Sequence, residues 1–250
     1  MLEEGQYIYC IIEASEARNF GSIGIGDRGD PVTTIGFGYG GLAAVVSSTP
    51  ISKCTVSKET MLAHEEVVER VMWDYTVLPV RFCTVAPSAE DIRNLLRRRY
   101  PEFKKLMREF DNKIELGLKA LWKDMDAVFS EIRESEITAI GAKEAIPSFE
   151  RGALGVQVEA DRLKHALQER KVMEQEILLR PLRQISMNCC LNNTYGDDMI
   201  VNAAFLVDRT WEMVFDGRVD NLISEYGERI EFKYVGPAPP YSFVNIVIGD

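Results

Sequence analysis

Few residues in this 250-residue chain have the type and spacing to do chemistry. His64 and His165 are its only histidines, each on a stretch with helical spacing and neither with a cysteine at ligand distance. A zinc site needs three or four converging donors, so both read as half-exposed helix histidines. Of the five cysteines, Cys10, Cys54, Cys83, Cys189 and Cys190, the adjacent last pair must point to opposite faces of a strand. Cys83 follows Arg81 and precedes a loop, where a nearby cation favours thiolate. The odd count without repeated spacing nonetheless reads as reduced, packed thiols in a cytosol. Gly21, Gly24 and Gly26 follow a strand-like run as a phosphate loop would. No Gly-Lys-Ser/Thr comes after them, and the next element is β-like, not a helix N-terminus. Arg28-Gly29-Asp30 spells an adhesion tripeptide by chance.

Carboxylates are plentiful, but none sits as a pair in apolar sequence where burial would split an acid from a base. Arg97, Arg98, Arg99, Lys104, Lys105 and Arg108 form the one basic cluster. Glu90, Asp91, Glu102 and Glu109 counter it, which reads as a solvated helix face. With 39 acidic against 29 basic residues, the net charge is −10, and such a surface repels polyanions. The expectation is therefore no enzyme, no cofactor, no metal and no nucleic-acid partner. No run approaches the ~18 apolar residues of a membrane span, and the N-terminus has no basic region ahead of an apolar stretch.

The elements that would position these residues fall into two halves. Gln6–Glu13 is a buried strand, followed by a Gly-rich loop over 19–30. Val32–Phe37 and Leu42–Ser48 form a hairpin across Gly38-Tyr39-Gly40-Gly41. Ser57 caps an amphipathic helix whose inner stripe is Met61, Leu62, Val67, Val68, Val71, Met72 and Tyr75. Val77–Phe82 is a short strand that Pro79 confines to an edge or a strand start. Ser88 opens a helix that breaks near Pro101 and resumes to about Phe110.

Strict alternation governs the second half. Ile114, Leu116, Leu118, Ala120 and Trp122 share one face, and so do Ile185, Met187, Cys189 and Leu191. The same holds for Val201, Ala203, Phe205 and Val207, and for Ile230, Phe232 and Tyr234. A helical stripe of Trp211, Val214, Phe215, Leu222, Ile223 and Tyr226 stops at Gly227. The order β, helices, β, β, α, β predicts a ferredoxin-like sheet with a helical insertion over about 123–183. Within it a helix starts at Asp124–Glu134, and a long charged helix runs over Gly155–Leu179 to end at Pro181. The expected class is α+β: an N-terminal domain over 1–111, a modified ferredoxin-like domain over 112–235, and a tail over 236–250. That tail carries Pro237, Pro239 and Pro240 and then large apolar side chains, so it is expected to pack back between the two halves.

Several runs resemble the gas vesicle protein F/L family. They are Tyr7-Ile8-Tyr9, the strand from Gly41 to Ser47 and the helix segment Ala63 to Val68. Val77-Leu78-Pro79-Val80-Arg81-Phe82-Cys83-Thr84-Val85 and the tail from Gly236 to Phe243 complete the set, which spans nearly the whole chain in order. The family usually has glycine where Cys83 stands and often tryptophan at Ala238. The resemblance implies a two-domain α+β protein with a structural or accessory role in gas vesicle formation, located at the vesicle in the cytoplasm. It also implies contact with the small hydrophobic shell protein and other vesicle proteins. Pro79, Arg81, Phe82, Pro239, Pro240, Tyr241 and Phe243 are the candidate domain-interface or partner-contact residues. The rival reading is an enzyme binding a small molecule at the inter-domain cleft through Arg81, Cys83 or the glycine loop.

Overall fold

A computed structural model describes residues 4–25, 30–36, 41–50, 56–141 and 153–248. The chain is mixed α+β with two sheets. It forms two compact units, Met1–Glu115 with Gly236–Asp250, and Leu116–Val235.

The first unit is built on β1 (Glu4–Glu13), β2 (Asn19–Ser22), β3 (Pro31–Gly36), β4 (Leu42–Pro50), β5 (Val77–Pro79) and β6 (Val85–Ala86). The strand order is β2-β3-β4-β1-β5, with β6 also on β1. Every side chain from Tyr7 to Ile12 is buried. A strand covered on both faces reads as a continuous apolar run, not as an alternation. The hairpin is present as the antiparallel β3–β4 pair; its Gly38, Tyr39 and Gly40 lie outside the described residues, as do Gly26, Arg28, Gly29 and Cys54.

The Gly-rich loop of 19–30 contains a strand that the sequence did not reveal. β2 pairs antiparallel with β3, with an irregularity between Asn19 and Gly21. Gly21 has φ of 91°, a backbone state that glycine adopts without steric cost. Composition alone marks such a segment as loop because its pairing is supplied by β3, not by its own propensity.

Helices α1 (Lys58–Met72), α2 (Ala89–Arg98) and α3 (Tyr100–Glu109) pack on this sheet. Ser57 caps α1 reciprocally: Thr60 N–H donates to its Oγ at 3.2 Å, and its own N–H donates to Thr60 Oγ1 at 3.0 Å. Pro101 stands in the first turn of α3, where its missing N–H has no intrahelical partner to lose. Arg99 forks onto the Glu102 carboxylate at 2.8 and 2.6 Å, and Lys104 pairs with Glu13. Parts of the basic cluster are thus countered locally. Pro79 ends β5 at the sheet edge, and beyond it Val80 bridges Ile246 of the tail in parallel.

The second sheet holds β7 (Lys113–Trp122), β8 (Asn188–Leu191), β9 (Met199–Asp208) and β10 (Ile230–Ala238) in the order β10-β7-β9-β8. All five alternating residues of β7 are buried, and so are Val201, Ala203, Phe205 and Val207 of β9. The stripe through Ile185, Met187, Cys189 and Leu191 is not a buried face, because Met187 and Leu191 are exposed. β8 is only four residues long and lies at the edge of the sheet, so it meets fewer neighbours.

Helices α4 (Met125–Gly141), α5 (Ala153–Arg183) and α6 (Glu212–Tyr226) complete the unit. α5 runs through Pro181 instead of ending at it. Proline inside a helix costs about 3 kcal/mol. Around it Leu178, Leu179 and Leu182 are all buried, each worth roughly 2 kcal/mol, and the burial wins. On α6 only Phe215, Val219 and Leu222 are buried; Trp211, Val214 and Ile223 of the expected stripe lie in water.

Candidate functional site

The polar centre of the first unit is an aromatic cluster around His64. The sequence suggested a half-exposed ring, but His64 is only 3% exposed. The Tyr7 hydroxyl and His64 Nδ1 share a hydrogen bond of 2.9 Å, and the hydroxyl accepts the Cys83 N–H at 3.1 Å. Tyr9 stacks on the imidazole at 5.6 Å, and Phe82 meets it edge-on at 5.6 Å. The Tyr9 hydroxyl is itself held by Ser47 Oγ at 2.8 Å and the Ile25 N–H at 2.9 Å. Burial lowers the His64 pKa to about 4, because a charged imidazolium loses its hydration there. At neutral pH the ring is therefore uncharged. Burial likewise pushes both tyrosines up, so they stay neutral. No local signal distinguishes His64 from an outward histidine, since its partner Tyr7 lies 57 residues away.

His64 also lines a cavity of about 480 Å³. Its walls are α1 through Met61, His64 and Glu65, the stretch Pro79–Phe82, and Tyr241 with Val244–Val247 of the tail. Four of the seven candidate contact residues, Pro79, Arg81, Phe82 and Tyr241, meet at this cavity. Pro239 and Pro240 are buried beside it in sequence, and Phe243 is half-buried. The tail is turned by Val244 N–H donating to Pro240 O at 2.9 Å and pinned by Ser242, whose N–H and Oγ–H each donate to Glu115 at 2.7 Å.

The Tyr241 hydroxyl is buried with no hydrogen-bond partner. Leaving a donor unpaired costs about 1–3 kcal/mol. Tyr241→Phe keeps the ring and removes the orphan, so it is expected to raise the urea midpoint by an amount equivalent to about 1 kcal/mol. A lower midpoint would show that the hydroxyl has a partner after all.

The thiols differ from the expectation at one position. Cys83 is disulfide-bonded, whereas Cys10, Cys189 and Cys190 are free, so a uniformly reduced set does not describe the chain. Cys83 also has φ of 64°, a left-handed state that glycine takes more easily than a residue with a Cβ. The glycine that the resemblance leads one to expect at this position would adopt that state without steric cost. His165 stands exposed on α5, 3.5 Å from Glu169. Among the described residues no group of three or more His, Cys, Asp or Glu could hold a metal, and no described helix is long and apolar enough to cross a membrane.

Among the described residues of the second unit, Glu174 on α5 is the one buried carboxylate. It accepts Trp122 Nε1–H and Arg170 Nε–H, both at 2.7 Å, and Arg229 lies 3.6 Å away. Beside it Met173, Ile177, Leu178, Tyr226 and Ile230 line a hollow of about 210 Å³. Met173 is 62% exposed and Met213, near the start of α6, 85%. Trp211, Val214, Ile177 and Ile223 are also in water.

Comparison with known proteins places these features in context. The family model described as "Gas vesicle synthesis protein GvpL/GvpF" matches residues 5–245. The chain is 27% identical over 214 residues to gas vesicle protein F1 of Halobacterium salinarum, covering 84% of this chain and 81% of that one. It is 26% identical over 241 residues to gas vesicle protein F of a Streptomyces species, covering 96% and 99%. The fold is similar to the crystal structure of the gas vesicle protein GvpF from Anabaena sp. PCC7120. There the TM-score is 0.83 at 21% identity, over 98% of this chain and all of that one. The crystal structure of GvpF from Microcystis aeruginosa gives 0.78 at 22% identity, over 97% and 99%.

Proposed function

Because this chain belongs to the GvpL/GvpF family of gas vesicle synthesis proteins, we propose that it is a non-enzymatic structural or accessory component of gas vesicle assembly that binds the hydrophobic shell protein. It works at the vesicle in the cytoplasm, beside other vesicle proteins. A shell subunit with an apolar, gas-facing surface aggregates unless something covers that surface before assembly. An acidic protein with net charge −10 stays dispersed while offering apolar side chains of its own. The observation that carries this reading is the set of large apolar residues left in water on the second unit, with Met173 and Ile177 at one hollow and Trp211, Met213 and Val214 in sequence at the start of α6.

We also read 112–235 as a ferredoxin-like domain whose insertion, about 123–183, supplies α5 and its apolar residues. The strand order β10-β7-β9-β8 supports this. Pro79, Arg81, Phe82, Pro239, Pro240, Tyr241 and Phe243 remain contact candidates in this proposal.

The test is recovery of the shell protein with the tagged full-length chain from vesicle-forming cells. Both Met173 and Ile177 are exposed, so Met173→Asp with Ile177→Asp should leave the fold intact while cutting recovery at least about tenfold, the loss expected when apolar contacts at an interface centre are replaced by charge. Undiminished recovery, together with normal vesicle number and shape in a strain lacking the chain, would rule the proposal out.

A further inference from the structure

We propose that the β8 edge of the second sheet is an interface with a second copy of this chain, the two β8 strands pairing antiparallel about a two-fold axis at Cys190. This does not rest on the shell-protein reading, whose apolar residues lie on α5 and at the start of α6.

The first argument is the contrast between the two edges of one sheet. In the order β10-β7-β9-β8 each outer strand has a described neighbour on one side only. β10 carries Glu231, Lys233 and Pro237, charges and a proline of the kind that stop an edge from pairing with another chain. β8 is Asn188-Cys189-Cys190-Leu191 and has neither. Met187 and Leu191, which alternate with Cys189, are 64% and 48% exposed, and Tyr195 is 70% exposed.

The second is charge, and it selects the occupant. In a chain with 27% charged residues and a net charge of −10, another copy is repelled from most of the surface. Residues 184–196 contain no charged side chain, so two copies can meet there without opposing like charges. Arg183 bounds this stretch at one end, and Asp197 and Asp198 bound it at the other. Arg183 and Asp197 are equally far from Cys190 along the chain. Antiparallel pairing about Cys190 therefore brings the basic end of each copy towards the acidic end of the other, whereas parallel pairing sets like ends together. Arg183 also pairs with its own Glu176 at 2.7 Å, so these ends set the direction of pairing more than its strength.

The third is backbone geometry. Cys190 is opposite Ala204 on β9, and the Asn192 N–H donates to Asn202 O at 2.8 Å. Alternation then points the Cys190 amide at β9 and the Cys189 and Leu191 amides away from it. In the single chain the Cys189 amide turns to its own neighbour, Asn188 Oδ1, at 2.8 Å. Pairing about Cys190 sets Cys189 of one copy opposite Leu191 of the other, where each outward amide meets a carbonyl. The two Cys190 residues then form a non-hydrogen-bonded pair with Cα atoms about 4.5 Å apart, within reach of a disulfide. Cys189 and Cys190 are both free.

The experiment uses the purified full-length chain. Sedimentation equilibrium over a concentration series should show a dimer. Leu191→Lys, at an exposed position where folding is not at risk, enters the interface twice through the symmetry and should raise the dissociation constant at least about tenfold. Diamide, which takes the hydrogens of two thiols as they join, should link the parent and Cys189→Ser into a covalent dimer and leave Cys190→Ser unlinked. A single-chain mass at every concentration, a dimer that Leu191→Lys leaves equally tight, or linkage that follows Cys189 instead of Cys190 would each overturn the proposal. So would a Cys190 that links only to a different protein in vesicle-forming cells, since the edge would then serve that protein and not a second copy.

Discussion

Acidification from pH 7.5 to pH 4 should lower the stability of the first unit by about 3 kcal/mol through His64 alone, since one pKa unit corresponds to about 1.4 kcal/mol. In the folded chain burial holds its pKa at about 4, against about 6.5 when unfolded. Between those values the unfolded state binds the extra proton and the folded state does not. The contribution is therefore complete above pH 6.5 and is lost as the pH falls towards 4. The ring's immediate neighbours are Tyr7, Tyr9 and Phe82, none of them an anion at these pH values. Glu65 and Arg81 line the adjoining cavity and offset each other. Other carboxylates titrate over the same range, so the measurement is a difference. Urea unfolding of the parent and of His64→Phe across pH 4–7.5 should give curves that converge towards low pH, with the variant lacking this part of the slope. Parallel curves would mean that His64 titrates as it does in the unfolded chain.

The second large effect belongs to Glu174. Glu174→Ala removes the acceptor of a buried indole N–H and a carboxylate shared by Arg170 and Arg229. Breaking a buried hydrogen-bonded pair by deleting one partner costs about 3–5 kcal/mol, so a loss near 3 kcal/mol is expected. Glu174→Gln keeps an oxygen for Trp122 and should lose only about 1 kcal/mol. Glu131 bridges the same two arginines at 3.1 and 3.2 Å but is exposed, so Glu131→Ala should cost under about 1 kcal/mol. Hydrogen exchange of the β7 and β9 amides reads the second unit separately from the first. Equal protection in Glu174→Ala and Glu131→Ala would show that Glu174 is no more than a surface partner.

These two residues also mark where a linear reading falls short. Neighbouring residues in sequence place His64 and Glu174 on helices, and nothing beside them announces burial. Tyr7 is 57 residues from His64, and Trp122 is 52 from Glu174. The same gap explains the stripe on α6. Its period is helical, yet Trp211, Val214 and Ile223 stay in water. Periodicity reports which side chains share a direction, not whether another element covers them.

The candidate site was legible only in part. Pro79, Arg81, Phe82 and Tyr241 are distinctive in sequence, and the fold gathers all four at one cavity. The burial of His64 against Tyr7, Tyr9 and Phe82 was not legible, because those rings come from distant parts of the chain.

By itself the sequence determined what depends on near neighbours. Ser57 and Ser88 start their helices because a hydroxyl satisfies an amide three residues on. β7 buries every second residue because its side chains alternate, and Pro79 lies at an edge because it has no N–H for a further ladder. Tertiary structure alone decided the rest: that Asn19–Ser22 becomes a strand, that α5 passes through Pro181, that His64 is buried and neutral, and which apolar faces remain open. Each of these turns on burial against groups dozens of residues away, and at such positions the few kilocalories of packing outweigh the smaller preferences that a local stretch of chain can express.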